Sequence, residues 1–267
     1  MSYRAFFGFS REPFTPDIEL DSILRTPELL AVNQRVEYVI RLGGIGLVTG
    51  EVGAGKSTAL RWAAGRLHPS KYKVLWITAT AGSILEIYRQ LLAELDVNTA
   101  SSSRAVLTRQ IRNQIQNLVM TKKQQPLLVI DEASLLRLDV FSELHTLTQF
   151  EGDSKPWLPI ILAGQNNLAD NLLYRTAIPL ASRIVARSHL EAVDRQGMEG
   201  YLQHHLNIAG LKNNPFEEQS ITAVHQGSGG LFRKANHLAR GALIAAAGDK
   251  SQIVTADHVR MADSELL

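Results

Sequence analysis

The chain has 267 residues, 45% of them hydrophobic, and its 28 Lys and Arg against 26 Asp and Glu leave a formal charge of +2. That length supports a sizeable core and suits one α/β domain with a smaller appendage. The absence of cysteine excludes disulfides, thiolate zinc sites and cysteine nucleophiles; no run of about 18 apolar residues predicts a membrane span, and MSYRAFFGFSREPF lacks the apolar region of an export signal, so a cytoplasmic location is expected.

Taken in chain order, Tyr3 to Ile40 is a lead-in containing REPFTP and ending in a helix from about Pro27. Short apolar runs at Ile45–Thr49, Val74–Thr78, Leu127–Ile130, Leu158–Ala163 and Ile184–Leu190 predict buried strands. Between them, Ser57–Leu67, Ser83–Leu95, Arg104–Met120 and Val140–Phe150 carry helical periodicity, and such alternation predicts a parallel sheet flanked by helices. After about Ala192 the strand signal ends. Arg195–Ala209, Glu217–Gln226, Leu231–Ala247 and Thr255–Asp263 read as helices separated by Gly, Pro or Asn, which predicts a small all-helical lid. The expected division is a lead-in over 1–44, an α/β nucleotide-binding domain over 45–191 and a helical lid over 192–267.

GEVGAGKST contains a phosphate-loop pattern carried by Gly50, Gly55, Lys56 and Ser57, placed after a strand and before a helix. Glycines let backbone N–H groups turn toward a β-phosphate, the lysine reaches β/γ oxygens, and the serine hydroxyl is placed to ligate Mg²⁺. Gly53 and Thr58 complete the expected nucleotide-contacting stretch. Further on, LLVIDEAS sets Asp131 and Glu132 at the end of an apolar strand. Asp131 suits the Mg²⁺ shell and Glu132 the polarisation of an attacking water. ATP and Mg²⁺ are therefore the expected cofactors. The eight histidines show no metal-ligand spacing; His204 and His205 are neighbours that point apart on a helix.

LPIILAGQNNL ends a further strand in amides, of which Gln165 is favoured for orienting water near a γ-phosphate; ordinary loop chemistry after a strand is the alternative. PLASRIVAR offers Arg183 and Arg187, and GSGGLFRKANHL offers Arg233 at a helix start. An arginine from the same chain or a neighbour can stabilise charge on a transferring phosphoryl group.

This constellation resembles an AAA+ ATPase. More narrowly, FFGFSREPFTPD, GEVGAGKST, VIDEASLL, ILAGQNNL and GSGGLFRKANHLARGALIAA resemble the ExeA-like group, whose relatives include the transposition ATPases TnsC, TniB, MuB and IstB. The resemblance spans nearly the whole chain and implies a P-loop AAA+ fold, a parallel five-stranded sheet between helices followed by the helical lid. It implies that Lys56 and Ser57 bind phosphate and Mg²⁺, that Asp131 and Glu132 form the acidic pair, and that Gln165 is sensor 1. It further implies that Arg183 is an arginine finger acting in trans, with Arg187 competing for that role, that Arg233 is sensor 2, and that Pro13 and Phe14 approach the adenine. The membrane span and wall-binding domain of the secretion members have no counterpart in this sequence, which favours a cytosolic role.

Charge is unevenly spread: residues 1–190 hold 21 Lys and Arg against 17 Asp and Glu, and residues 191–267 hold 7 against 9. Val97–Pro126 contains five basic residues and no acid. There Leu107, Ile111, Ile115 and Leu118 form an apolar stripe, with Arg109, Arg112 and Gln116 on the opposite face. Arg104 sits at the helix start, where a cation opposes the dipole. A solvated helix face is the plain reading. The resemblance adds another, since transposition relatives assemble as ATP-dependent rings or filaments around duplex DNA. It implies nonspecific phosphate contacts, with Thr80, Arg89, Arg104, Arg109 and Arg112 as candidates.

The function expected is thus an ATP-dependent regulator of DNA transposition that oligomerises on duplex DNA, marks a target and recruits a transposase, with hydrolysis driving disassembly. Two alternatives remain: a secretion-associated ATPase acting on protein partners, and a helicase-loader-like ATPase. The N-terminal lead-in and the tail ADSELL are both plausible docking points for a partner protein.

Overall fold

The computed structural model describes residues 2–265, so the last two residues of the ADSELL tail lie outside the described residues. The elements in chain order are α1 (Tyr3–Phe7), α2 (Pro27–Leu42), β1 (Ile45–Gly50), α3 (Lys56–Gly65), β2 (Tyr72–Thr78), α4 (Ile84–Glu94), α5 (Arg104–Met120) and β3 (Gln125–Asp131). There follow α6 (Leu138–Thr148), β4 (Ile160–Gly164), α7 (Asn167–Asn171), α8 (Ile178–Ala181), β5 (Ile184–Leu190), α9 (Arg195–Ile208), α10 (Glu218–Ser228), α11 (Phe232–Gly248) and α12 (Ala256–Ser264). All five strands are parallel and stand in the order β2-β3-β4-β1-β5.

Central strands β1, β3 and β4 are apolar along almost their whole length because helices cover both faces of a parallel sheet. Strand β3 starts two residues earlier than its apolar run suggests and includes Pro126, which has no N–H to give a ladder. Its position explains this: Pro126 pairs with Lys73 on β2, whereas β3 meets β4 only from Leu128 onward. Helix α2 begins where Thr26 accepts a hydrogen bond from the Leu29 amide at 3.2 Å, with Pro27 in the first turn, and ends at Gly43 in the left-handed conformation. The stripe Leu107, Ile111, Ile115 and Leu118 is the buried face of α5. Helices α1, α7 and α8 have only four or five residues, too few to show a period in the sequence.

The chain divides into two compact units, neither of them one continuous segment. One unit comprises Thr26–Gly50 and Lys56–Leu190, with a core of sheet residues such as Leu128, Ile130, Ile160 and Leu162 together with Tyr88, Leu91, Ile111, Phe141 and Leu144 from the helices. The other comprises Met1–Arg25, Glu51–Gly55 and Glu191–Leu267. Its core joins Phe7, Phe9 and Phe14 of the N-terminal stretch to Met198, Leu202, Leu206, Phe216, Leu238 and Leu243. Among the described residues no helix is long and apolar enough to cross a membrane.

Phe14 is 1% exposed and has a φ of 56°, an unusual conformation for a bulky residue. Its ring stacks on His205 at 5.4 Å and meets Phe216 edge-on at 6.3 Å, so aromatic packing offsets the backbone cost. His205 lies closer still to Tyr201, 4.4 Å between ring centres. Burial, and after it the neighbouring His204, lower the His205 pKa to about 4, so the ring is neutral near pH 7. An unfolded chain would take up that proton near the ordinary value of 6.5. Stability is therefore complete above about pH 6.5 and declines as pH falls toward 4, by up to about 3 kcal/mol. Urea unfolding at pH 7 and pH 4.5 should show this loss, and His205→Leu should flatten it; an equally steep decline in the variant would assign the loss to other groups.

Candidate functional site

The turn from β1 into α3 depends on Gly50. Its φ of 155° and the Leu190 carbonyl, 2.5 Å from where a Cβ would stand, exclude any side chain. Lys56, the first residue of α3, is buried at 7% exposure, and its Nζ donates to the Gly50 carbonyl at 2.9 Å. A buried ammonium beside a helix N-terminus concentrates positive potential where amide N–H groups are unpaired, which is how a polypeptide binds phosphate. Ser57 is exposed and donates through Oγ to Asp131 Oδ2 at 2.7 Å; Thr58 follows, half-buried.

Asp131 closes β3 and is itself buried at 8% exposure. Its second oxygen, Oδ1, accepts from the Glu132 amide at 2.9 Å, and its backbone carbonyl accepts from Ala79 at 2.8 Å. Side chain and main chain are thus both anchored. Glu132 has a φ of 54°, a conformation costing a non-glycine residue roughly 1 kcal/mol or more and found disproportionately at functional sites. Two oxygens of the hard type that Mg²⁺ prefers, Ser57 Oγ and Asp131 Oδ2, already face each other, so this donor set fits that ion.

Strand β4 lies between β1 and β3, so Gln165, which follows it, is carried by the strand between the two motif-bearing strands. Gln165 is exposed; its carbonyl accepts from Leu168, and its side-chain amide has no partner among the described residues. Just before it, Gly164 passes so close to the 3-10 turn Ala133–Leu135 that a Cβ would lie 2.8 Å from the Ser134 amide. The Ser134 hydroxyl there is buried without a hydrogen-bond partner, a feature hidden in the sequence because VIDEAS shows a serine but not its enclosure.

Arg183 and Arg187 belong to the opposite end and the middle of the sheet. Ile184 pairs with Ile45 and Leu190 with Gly50, so Arg183 lies beyond the start of β5, roughly 20 Å of strand from its own Gly50. Arg187 lies within β5 opposite Leu47, exposed and without a side-chain partner among the described residues. Arg183 is held: its Nη2 donates to Asp153, and its Nε donates to His145 Nδ1 at 3.2 Å. The Arg183 bond keeps the Asp153 carboxyl below the usual carboxylate range, while burial and then the guanidinium lower His145. Neither partner was identifiable from the sequence, where His145 falls in the helical stretch Val140–Phe150 and nothing marks Asp153.

In the other unit, the Arg233 amide at the start of α11 donates to the Gly53 carbonyl at 3.3 Å, tying that helix to the Glu51–Gly55 loop. Gly55 lies in the same loop, also at positive φ. Pro13 and Phe14 are both buried, Phe14 within this unit's own aromatic core.

The basic candidates differ from one another. Arg104 pairs with Glu143 of α6, which accounts for a cation at the head of α5. Arg112 donates to the Thr146 and Gln149 carbonyls and lies 4.8 Å from the centre of the Phe150 ring. Thr80 donates to Glu86 at 2.9 Å. Arg89 and Arg109 are exposed and have no side-chain partner among the described residues.

Residues 40–172 match a family model described as an AAA domain. The chain is 29% identical over 274 residues to the general secretion pathway protein A of Aeromonas hydrophila, an alignment covering 99% of this chain and 48% of that protein. It is 28% identical over 226 residues to the ATP-dependent target DNA activator B of Escherichia phage Mu, covering 83% of this chain and 66% of that protein. The chain thus spans about half the length of the first relative and just under two thirds of the second. Cdc6p from Pyrobaculum aerophilum shares the fold, with a TM-score of 0.76 at 16% identity over 95% of this chain and 70% of that one. With the phosphate-loop pattern after β1, the acidic pair after β3, the strand order and these likenesses in agreement, the chain has the P-loop AAA+ fold, and its residues 40–172 are those similar to the AAA domain family.

Proposed function

We propose that the protein is an ATPase whose nucleotide state governs assembly on duplex DNA, and that the assembled form marks target DNA for a transposase. The observation carrying the nucleotide part is the joined set of Lys56, Ser57 and Asp131, linked by bonds of 2.9 and 2.7 Å to Gly50 and to each other. Support for the DNA part comes from the likeness to a target DNA activator over 83% of the chain.

In this reading, Gly50, Gly53, Gly55, Lys56 and Thr58 bind the phosphates, Ser57 and Asp131 hold Mg²⁺, and Pro13 and Phe14 line the adenine side. Bound Mg²⁺ supplies charge neutralisation at the β and γ oxygens. Glu132 accepts a proton from the attacking water while Gln165 orients that water, and Arg233 of the 192–267 lid senses the γ-phosphate. Arg183 serves a neighbouring subunit. Its distance along β5 from its own Gly50 supports action in trans, and Arg187, four residues nearer the C-terminal end of that strand, is the alternative finger. Hydrolysis at such shared sites then dismantles the ring or filament.

DNA contact rests most on Arg89 and Arg109. Arg104, Arg112 and Thr80 would first have to give up intramolecular bonds. A second reading, a secretion-associated ATPase acting on protein partners, is supported by 29% identity over 99% of the chain to a secretion pathway protein.

Lys56→Ala should weaken nucleotide binding at least about tenfold in calorimetry, because it removes the buried ammonium; unaltered affinity would overturn the phosphate-loop assignment. Glu132→Gln should slow turnover by roughly 10²- to 10⁴-fold while leaving ATP binding intact, and normal hydrolysis would move the base elsewhere. Fluorescence anisotropy with duplex DNA and a nonhydrolysable ATP analogue should show nucleotide-dependent binding whose log–log salt slope falls by about 1 in Arg109→Ala. Absence of DNA binding at low salt would favour the secretion reading.

A further inference from the structure

Between α6 and β4 the chain makes a tight turn whose backbone is unusual. Glu151, Gly152 and Asp153 have φ values of 46°, 63° and 71°, three successive left-handed residues of which two carry side chains. Such residues normally occur singly because each L-residue is strained there. The base of the turn is firmly held. Phe150 bridges to Lys155, its ring is 5.4 Å from the buried Trp157 ring, and Arg112 spans Phe150 and the carbonyls of Thr146 and Gln149. Ser154 closes the tip through its hydroxyl and the Glu151 carbonyl at 2.8 Å. The result is that Asp153 is presented to Arg183, while His145, in the last turn of α6, takes the Arg183 Nε. An arginine whose charge is matched by its own chain's carboxylate is poorly disposed to stabilise a phosphoryl group elsewhere.

We propose that the Glu151–Asp153 turn and His145 form a holding site for the Arg183 side chain, and that Arg183 acts on a neighbouring subunit's nucleotide only after leaving it. This rests on the reading of Arg183 as the trans finger. Asp153 and His145 are positioning residues; they touch Arg183 and not the substrate. Because Asp153 and Arg183 are 44% and 26% exposed, the ion pair is weak enough to exchange for a phosphate once subunits meet. The holding site therefore raises the subunit concentration at which hydrolysis begins without limiting the assembled enzyme.

Asp153→Asn isolates this effect, since asparagine adopts the left-handed conformation at least as readily as aspartate and removes only the charge. Turnover per subunit would be measured against protein concentration, with Mg²⁺, ATP and duplex DNA, for the wild type, Asp153→Asn, Asp153→Glu and Arg183→Ala. The expected result is that Asp153→Asn reaches half-maximal turnover at an about three- to fivefold lower concentration with an unchanged plateau. Asp153→Glu should lie nearer the wild type, and Arg183→Ala should lose the plateau. If Arg183→Ala loses the plateau but Asp153→Asn superimposes on the wild type or requires more protein, the holding site is overturned while the finger reading stands. If Arg183→Ala keeps the wild-type plateau, the finger reading fails and the holding site fails with it.

Discussion

The hydrogen bond from Ser57 to Asp131 joins the start of α3 to the end of β3, two segments 74 residues apart. It is possible because β1, β4 and β3 run parallel as neighbours, so that the segments following β1 and β3 both emerge from the same edge of the sheet. Parallel strands require crossovers, and the buried faces of α4, α5 and α6 supply them. The apolar core thereby determines where two small polar groups meet. Deforming the β1–β4–β3 register would separate Ser57 from Asp131 even with every motif residue present.

Local order at this edge has an energetic cost. Gly50 excludes side chains against the Leu190 carbonyl, Glu132 occupies a left-handed conformation, and Ser134 buries a hydroxyl with no partner. Such features run against the usual economy of folding, in which buried polar groups find partners and bulky residues avoid positive φ. Glu132 and Ser134 lie in or beside the acidic pair, and Gly50 closes β1. The rest of the sheet is conventional, with near-continuous apolar strands.

Much of this architecture was legible in the sequence because its signals are local. The five apolar runs lie within the five strands or within two residues of them, and the spacing of Leu107, Ile111, Ile115 and Leu118 identified the buried face of α5. Gly50, Lys56, Ser57, Asp131 and Glu132 stood out because their types and spacing fit a phosphate-loop pattern and an acidic strand end, and the structure joins Lys56 to Gly50 and Ser57 to Asp131. What was not legible depends on contacts between distant segments. The sequence shows Arg104 and Arg112 as part of a basic helix, but Glu143 and the turn around Phe150 take up both guanidinium groups. Nothing local in EGD indicates that Asp153 meets Arg183. Nor does the sequence show that the first 25 residues share an aromatic core with residues some 190 positions later.

That last feature bears on inheritance. The core of this unit draws on Phe7, Phe9 and Phe14 from one segment and α9 to α12 from another, and the unit also includes Glu51–Gly55. A recombination event that transplanted residues 191–267 alone would leave His205 without its stacking partner and Phe216 without its edge-on contact to Phe14. The unit containing α9 to α12 is therefore not a continuous module that simply follows the sheet unit along the chain. Residues 1–25 and 191–267 must therefore change together, so exchange between relatives is expected to keep these segments paired or to fall within loops of the sheet unit.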